Sequence, residues 1–435
     1  MTFALMLKTF KTSLLAAFLL PGAILAGELP GNILPAGVGV NIHFVNGREK
    51  DLDLIAAGGF KFIRMDFAWD AIERKAGEYN WSEYDELTRN LEQRGLSAIY
   101  ILDYSNPLYE KTVDSHNAIK TEVAQRDTAS PQHPESIAAY ARWAEAAAKH
   151  FHGHHIIWEI WNEPNGFFWK PEPNAAQYSA LALAAAAAIR QAEPQATIVG
   201  PALSGFQPAY MEVFLKSGVL KYLDAVSVHP YRDPNFGPET AGPEYEQLRT
   251  MIERYAPAAG KKTVPIISGE WGYSTKAHGV SPETQAAYLV RQQLFNLLNG
   301  VKLSIWYDWK NDGTNMNRLE DNFGTVTDAL EPKPAYRAIK VLTRELAGYH
   351  IEHRFDTSQG DYVLLLADAS GHKKIAAWTI GEPRSTDLKP ALKANEILEW
   401  IDGWGTPLQQ PLGDGPFALR LEPLPQYFTL KPTQK

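Results

Sequence analysis

Cysteine is absent from this chain of 435 residues. Its absence excludes disulfide bonds, a thiol nucleophile, a thiolate metal site and a lipid anchor attached to cysteine. The compartment in which the protein works must therefore be inferred from other parts of the sequence.

An excess of positive charge is absent as well. The 42 Lys and Arg residues are outnumbered by 50 Asp and Glu residues, which gives a formal net charge of −8. Nucleic acid and anionic membrane surfaces require a concentrated basic face, so the charge argues against both as main partners. A neutral substrate is favoured instead. Aromatic residues make up 11% of the chain, and their flat rings suit the C–H faces of sugars.

The N-terminus has the composition of an export signal. Lys8 and Lys11 precede an apolar run from Ser13 to Leu25, and small residues follow the run. This order predicts a secretory signal peptide over residues 1–27 and a periplasmic or secreted protein. The alternative is an uncleaved membrane segment, although the run is shorter than the ~20 residues that span a bilayer. Peripheral or N-terminal association with the inner membrane therefore stays open.

Short β-rich apolar runs alternate with amphipathic helical stretches over most of the chain, which is typical of repeated βα units and a parallel sheet. Eight such runs predict an α/β fold, a (β/α)8 TIM barrel over residues 28–346. An open doubly wound sheet is the alternative, but no glycine-rich dinucleotide motif follows the first run. The runs are Val38 to Phe44, Phe60 to Phe67, Ser97 to Tyr104, Ile156 to Trp161, Ala196 to Pro201, Ala225 to His229, Val264 to Gly269 and Lys302 to Trp309.

Helices are predicted between these runs. Ser82, Ser136 and Asn174 stand near three helix starts and are residue types that cap helices. The clearest stretches are Trp81 to Arg94, Glu135 to Phe151, Asn174 to Ala192, Pro282 to Leu298 and Pro334 to Leu346.

The pattern changes after Gly348 to short alternating strands, such as Tyr362 to Leu366 and Lys374 to Thr379. We predict a small β-sandwich-like module over residues 347–435. The module is short for an independent sandwich, so it is expected to pack on the barrel and to borrow a strand from the segment before residue 36.

Two glutamates stand where predicted barrel strands end. The segment IIWEIWNEPN, residues 156–165, runs from an apolar strand directly to Glu163, and VPIISGEWG, residues 264–272, does the same for Glu270. The active site of a TIM barrel lies at the C-terminal ends of its strands. Two carboxyl groups across one pocket are what acetal hydrolysis requires, because one protonates the leaving oxygen and the other attacks or orients water.

Further polar residues end the same strands and are candidates for the site. His43 and His229 are expected to touch substrate or to orient a catalytic carboxylate, with a core position as the alternative. The other candidates are Arg64, Asp66, Asn162 and Tyr231.

The backbone near Glu163 is expected to be irregular. Strict strand alternation cannot point both Asn162 and Glu163 towards the barrel axis, so a bulge or twist at the strand end is required. Glu159 lies earlier on the same strand and is expected inside the barrel, paired with Arg64.

These residues resemble the two-glutamate barrel enzymes of glycoside hydrolase family 39. The resemblance covers residues 36–346 and rests on WNEPN at 161–165, HPY at 229–231 and SGEWG at 268–272. It implies a retaining glycoside hydrolase with Glu163 as general acid/base and Glu270 as nucleophile. It also implies that Asn162 holds the sugar 2-hydroxyl and that Arg64 supports the nucleophile. His229 and Tyr231 would line the site, and Trp306 would form an aromatic platform.

The substrate implied by the resemblance is a polysaccharide or oligosaccharide. The family's xylosidases carry a fuller β-sandwich, which puts xylosides in doubt here. The short module and signal-like start resemble instead hydrolases of Psl-type biofilm exopolysaccharide, a polymer that contains mannose, glucose and rhamnose. This resemblance implies cleavage inside the polymer chain. It leaves open a partnership with an exopolysaccharide synthesis or export complex. Candidates to line an extended cleft, each with core packing as its alternative, are Trp69, Phe168, Trp169, Trp271 and Trp309.

Two other functions stay open. One is a polysaccharide-binding or export-assisting barrel without catalysis, which the presence of both glutamates disfavours. The other is a transglycosidase, which shares the catalytic residues and differs in the acceptor of the glycosyl group. No metal or organic cofactor is implied.

Overall fold

The computed structural model describes residues 29–46, 48–115, 125–387, 397–409 and 418–431. The predicted signal peptide, residues 1–27, lies outside these residues. Within the described ranges, no helix combines the length and the apolar character that crossing a membrane requires.

The barrel strands belong to the first ten strands of the described chain. These are β1 (Val38–Asn41), β2 (Phe62–Ala68), β3 (Ser97–Asp103), β4 (Thr112–Ser115), β5 (Gln125–Thr128), β6 (Ile156–Ile160), β7 (Thr197–Ser204), β8 (Ala225–His229), β9 (Ile266–Trp271) and β10 (Ser304–Trp306). β4 and β5 pair separately, and the other eight form a closed barrel in the order β1-β10-β9-β8-β7-β6-β3-β2. Each predicted run overlaps one barrel strand, which confirms the TIM-barrel prediction.

Helices surround the barrel and begin where local sequence signals place them. Asn174 precedes α5, and its side-chain oxygen accepts the backbone N–H groups of Ala176 and Gln177 at 3.1 and 3.0 Å. Ser136 is not a cap itself, because it lies one turn inside α4 and accepts the N–H of His133. In the described residues the helices are α1 (Glu49–Ala57), α2 (Trp69–Ile72), α3 (Ser82–Glu92), α4 (Pro134–His150), α5 (Ala175–Ala192), α6 (Pro208–Lys216), α7 (Gly242–Tyr255), α8 (Pro282–Leu298) and α9 (Pro334–Glu345).

Inside the barrel, an apolar layer supports a polar one. Because side chains alternate along a strand, a residue two positions later faces the same interior. Arg64, Glu159 and Ser227 occupy these later positions on β2, β6 and β8, and all three are buried. The polar layer therefore lies towards the C-terminal ends of the strands. The apolar layer consists of Phe62, Ile99, Ile157, Val199, Ala225, Ile267, Leu303 and Ile305.

The C-terminal strands form a five-stranded antiparallel sheet and a separate two-stranded sheet. The strands are β11 (His350–Arg354), β12 (Asp361–Ala367), β13 (Lys373–Thr379), β14 (Arg384–Asp387), β15 (Ile397–Ile401), β16 (Ala418–Leu421) and β17 (Gln426–Leu430). The larger sheet has the order β11-β12-β13-β17-β15, and β14 pairs with β16. The prediction that the segment before residue 36 adds a strand to the C-terminal module is wrong for the described residues 29–35, which form no strand. Leu34 instead makes two backbone hydrogen bonds, one to Tyr349 and one to Gly348, at 2.9 and 2.8 Å.

One buried carboxylate joins the five-stranded sheet to the barrel. Glu239 accepts two hydrogen bonds from Arg291 of α8, at 2.7 and 2.6 Å. It also accepts the indole N–H of Trp378 from β13 at 2.8 Å. The ring of Trp378 stacks on Tyr362 of β12 with centroids 4.7 Å apart. The sheet thus packs on the barrel through a shared charge as well as through apolar contact.

Candidate active site

The end of β6 leaves regular strand geometry, as the sequence required. Trp161 and Glu163 both have positive φ, 67° and 45°, which lies in the left-handed region. The backbone N–H of Glu163 donates to the carbonyl of Ala202 at 3.0 Å, which fixes the irregular segment to β7. This conformation brings Asn162 and Glu163 to the same end of the barrel.

A register shift makes the end of β9 irregular as well. Between its pairings with β10, β9 advances from Ser268 to Trp271 while β10 advances only from Ser304 to Trp306. The extra residue is typical of a β-bulge, which re-aims a side chain. Gly269 lies in this bulge, and a Cβ there would stand 2.4 Å from Ser227 Oγ and so could not fit.

Glu163 and Glu270 face one pocket. A carboxylate oxygen of each and a ring nitrogen of His229 all lie within 4.8 Å of one another. The side chains of Glu163 and Glu270 are 16% and 12% exposed, so both reach solvent from a mostly enclosed position. The structure therefore brings together the two glutamates that are 107 positions apart in the sequence (270 − 163).

Glu270 is held by two donors. The hydroxyl of Tyr231 donates to Oε1 and Nη1 of Arg64 donates to Oε2, both at 2.7 Å. Burial, followed by the charge of Glu270, raises the pKa of Tyr231 well above its ordinary value. Tyr231 therefore stays protonated as a donor. Donors on both oxygens fix the orientation of the Glu270 carboxylate.

Arg64 connects the carboxylates inside the barrel. Only 1% of its surface is exposed, and its Nε donates to Glu159 at 2.6 Å, which confirms the expected pair. Nη2 donates to the side-chain oxygen of Asn162 at 2.8 Å. Ser227 donates to the other oxygen of Glu159 at 2.5 Å. This network fixes the orientation of the guanidinium that contacts Glu270.

His229 lies between Arg64 and Glu163. Its Nε2 is 3.4 Å from Nη2 of Arg64, and its Nδ1 is 3.0 Å from Oε1 of Glu163. Because arginine only donates, Nε2 must accept and Nδ1 carries the proton that is donated to Glu163. His229 is completely buried, so it orients Glu163 and does not reach solvent.

One side of the pocket is formed by Tyr104 and Phe168. The amide nitrogen of Asn162 donates to the hydroxyl of Tyr104 at 3.0 Å. The ring of Tyr104 stacks on that of Phe168 with centroids 5.5 Å apart and planes 10° from parallel. Phe168 is half-buried, as a cleft-lining residue should be. Tyr104 was not among the sequence candidates, although it directly follows the polar end of β3.

Five tryptophans proposed from the sequence lie in the core instead. Each is at most 1% exposed, so the prediction that they line a cleft or platform is wrong in this structure. Trp69 stacks between Tyr109 and Trp143, for example, with centroids 5.3 and 5.5 Å away. The residues concerned are Trp69, Trp169, Trp271, Trp306 and Trp309.

Tyr307 takes the position expected for Trp306. Ile305 faces the barrel interior, so alternation directs Trp306 outward, where it packs beside Tyr273. Tyr307 is half-buried, and its ring contacts Phe323 with centroids 5.2 Å apart. Since Ile305 faces inward in the structure, alternation also turns Tyr307, two positions later, towards the interior.

Asp66 and Asp103 end β2 and β3 next to Arg64. Asp103 is fully buried, and neither of its carboxylate oxygens has a hydrogen-bond partner among the described residues. Burial and then the charge of Asp66 raise the pKa of Asp103 well above its ordinary value. Asp66 is the partly exposed member of the two.

His43 lies apart from the two glutamates. Its ring is 5.5 Å from that of Tyr307, and its Nε2 lies 3.5 Å from Oδ2 of Asp308. The side chain is 41% exposed, so it lines the rim and not the core. Contact of His43 with substrate stays a prediction.

Glu163, His229 and Glu270 are also close enough to share a metal ion. The chemistry of the pocket opposes one, because the guanidinium of Arg64 already occupies Oε2 of Glu270 at 2.7 Å. A second positive charge at this oxygen would be repelled.

Comparison with known proteins agrees with this geometry. The family model of cellulase (glycosyl hydrolase family 5) matches residues 35–313. A beta-xylosidase from Caldicellulosiruptor saccharolyticus is 24% identical over 253 residues, which is 51% of this chain and 49% of that protein. The chain thus spans about half the length of this curated relative.

Solved structures show the same fold. A family 39 glycoside hydrolase from Bacteroides cellulosilyticus WH2 has a TM-score of 0.76 and 25% identity, covering 91% of this chain and 81% of that one. A GH39 beta-xylosidase from Caulobacter crescentus has a TM-score of 0.63 and 16% identity, covering 94% and 98%. A GH30 endoxylanase from Clostridium papyrosolvens has a TM-score of 0.63 and 13% identity, covering 94% and 98%. The expected resemblance to family 39 is confirmed for the fold, and the chain belongs to the cellulase (glycosyl hydrolase family 5) family of glycoside hydrolases.

Proposed function

We propose that this protein hydrolyses glycosidic bonds with retention of configuration, with Glu270 as nucleophile and Glu163 as general acid/base. The proposal rests on the distance between the two carboxylates. One oxygen of Glu163 lies within 4.8 Å of one oxygen of Glu270. Retaining enzymes hold their carboxyl groups about 5–5.5 Å apart, whereas inverting enzymes leave about 6.5–9.5 Å for a water molecule.

The contacts of each glutamate suit its proposed role. Tyr231 and Arg64 each donate a hydrogen bond to Glu270 and hold its carboxylate towards the anomeric carbon. Glu163 donates its proton to the glycosidic oxygen as Glu270 attacks, and the leaving group departs as an alcohol. Glu163, now ionised, then takes a proton from the water that releases the sugar from Glu270. The Nδ1–H of His229 holds Glu163 in place through both steps.

The proposed substrate is a neutral bacterial exopolysaccharide of the Psl type, cleaved internally. Aromatic rings on both sides of the carboxylates support a polymer substrate: Tyr104 and Phe168 on one side, and Tyr307 on the other. Rings of this kind stack on sugar faces on either side of the cleaved bond. The proposed location is the periplasm or the exterior, where such a polymer is exported, with inner-membrane association or a place in an export complex as further parts of the proposal.

Three variants test the mechanism. Glu163→Ala should lose about 10²- to 10⁴-fold in turnover of substrates with poor leaving groups, because proton donation is removed. Added azide should restore turnover of an activated aryl glycoside and give a glycosyl azide of retained configuration. Glu270→Gln should be inactive with both substrates. Glu172→Gln, at an exposed glutamate in the loop after β6, is the matched control and should remain fully active.

The products decide between the proposal and its alternatives. NMR of the first-formed sugar should show the anomer of the substrate, and an inverted anomer would contradict double displacement. Oligosaccharides released from Psl-type polymer support endo action. Release of xylose from xylo-oligosaccharides alone would favour the xylosidase activity named for several relatives. Products longer than the starting oligomer would indicate transglycosylation, and binding without any product would indicate a non-catalytic barrel.

A further inference from the structure

A second group of metal-ligand side chains lies away from the two glutamates. His43 follows β1, and Asp308 and Asp312 follow β10. One ligand atom from each residue lies within 4.8 Å of the other two. β1 and β10 are paired neighbours, so the group spans the seam at which the first and last barrel strands meet.

Asp308 is the member whose situation calls for a ligand. It is 1% exposed, its carboxylate oxygens lack a well-formed hydrogen bond in the described part of the chain, and the side chain paired with it there, His43, belongs to the same group. A buried carboxylate is costly unless it is paired or coordinates a metal. The distance of 3.5 Å between Asp308 Oδ2 and His43 Nε2 is longer than the about 2.7–2.9 Å of a charge-assisted hydrogen bond.

Two nearby lysines are engaged elsewhere. Lys333 donates to the side chains of Thr275 and Asn311, at 3.3 and 3.2 Å. Lys310 lies 3.8 Å from a carboxylate oxygen of Asp51. Among the described residues neither ammonium group forms an ion pair with Asp308, which leaves His43 as the charged side chain beside its carboxylate.

The separation of His43 from Asp308 fits a shared cation. With bonds of about 2.0–2.2 Å in a tetrahedral site, neighbouring ligand atoms stand about 3.3–3.6 Å apart. The separation of His43 Nε2 from Asp308 Oδ2 is 3.5 Å. One imidazole and two carboxylates suit Zn²⁺ or Mn²⁺ better than Ca²⁺ or Mg²⁺, which prefer oxygen ligands throughout. His43 and Asp312 are exposed, so an ion and its water ligand can enter from solvent.

We propose that His43, Asp308 and Asp312 bind one transition-metal cation of the Zn²⁺ or Mn²⁺ type. The bound ion ties the end of β1 to the loop after β10 and so reinforces the seam of the closed barrel. Because binding to the native state alone stabilises that state, the ion raises the melting temperature.

Calorimetric titration of the chelator-treated full chain with ZnCl₂ or MnCl₂ tests the proposal, with CaCl₂ as the hard-ion comparison. The wild type should bind one Zn²⁺ or Mn²⁺ ion per chain, and its melting temperature should rise. Asp308→Asn and Asp312→Asn should each weaken binding at least tenfold and abolish the rise. Asp312 is exposed, so the second variant tests the site without disturbing a buried group.

Two further variants locate the ion. Asp328→Asn is the matched control, because Asp328 lines the same 360 Å³ cavity as His43 and Asp312 but is not part of the ligand group. Glu270→Gln should bind the ion as tightly as the wild type does. Absence of binding at millimolar Zn²⁺ and Mn²⁺, binding unchanged in Asp312→Asn, or binding lost in Glu270→Gln would each overturn the proposal.

Discussion

Arg64 offers the sharpest test of how charge is balanced inside this barrel. Its buried guanidinium contacts Glu159 at 2.6 Å and Glu270 at 2.7 Å. Arg64→Met removes the cation and leaves Glu159, which is completely buried, with Ser227 as its remaining side-chain donor. Removal of one partner from a buried ion pair costs about 3–5 kcal/mol, so we expect a loss of that size in the free energy of unfolding.

A double mutant separates the charge from the packing. Glu159→Gln alone should cost less, about 1–3 kcal/mol, because Arg64 keeps Glu270 as a partner. In Arg64→Met/Glu159→Gln the buried anion is gone, so the double mutant should be more stable than the sum of the single losses by about 1–3 kcal/mol. Urea unfolding of the four proteins measures this coupling.

Activity should follow a different order. Glu159→Gln keeps the hydrogen bond from Arg64 to Glu270 and should retain most turnover, whereas Arg64→Met and the double mutant should both lose it. A loss below about 1 kcal/mol in Arg64→Met, or simple additivity of the two substitutions, would show that Arg64 does not balance a buried charge on Glu159.

Three other substitutions have definite expected outcomes. Tyr231→Phe removes the 2.7 Å hydrogen bond to Glu270. Because a hydrogen bond to a charged group is worth about 1.5–3 kcal/mol, kcat/KM should fall about 10- to 100-fold, with little change in melting temperature. An unchanged kcat/KM would contradict the role of Tyr231. Asp103 has a pKa raised in the folded state, so its contribution to stability is greatest at low pH and is lost as pH rises towards the folded pKa. Asp103→Asn should therefore melt at a higher temperature than the wild type at about pH 8, with a smaller difference at about pH 4, and the reverse trend would show that Asp103 is ionised and paired. Gly269→Ala would place a Cβ 2.9 Å from Oε1 of Glu159, so thermal unfolding and assay should show a destabilised protein with reduced activity, whereas a fully active, equally stable variant would mean that the bulge can widen.

The strands and the two glutamates could be predicted because their signals are local. Apolar runs of strand length and amphipathic helical stretches give the order of elements, and a TIM barrel then places strand ends at one face. The pairing of Glu159 with Arg64 followed from the same logic, since a charge in an apolar strand needs a buried partner.

The misplaced tryptophans show where local signals fail. Trp306 and Tyr307 are adjacent aromatic residues, and only the direction of the backbone decides which of them faces the pocket. Trp69 is a cleft candidate in the sequence, but in the structure it begins α2 and packs on the rings of α4. Composition identifies an aromatic residue near a strand end, whereas its facing depends on bulges and turns that form only in the folded chain.

The sharing of Glu239 between Arg291 and Trp378 also bears on how the chain can be cut or recombined. A fragment that stops before β11 lacks Trp378, so the buried carboxylate of Glu239 would lose the indole N–H that donates to it. Exchange of the terminal sheet for that of a relative would have to transplant matching residues at 239, 291 and 378 together. Engineers who treat the sheet as a detachable appendage should therefore expect insoluble barrels.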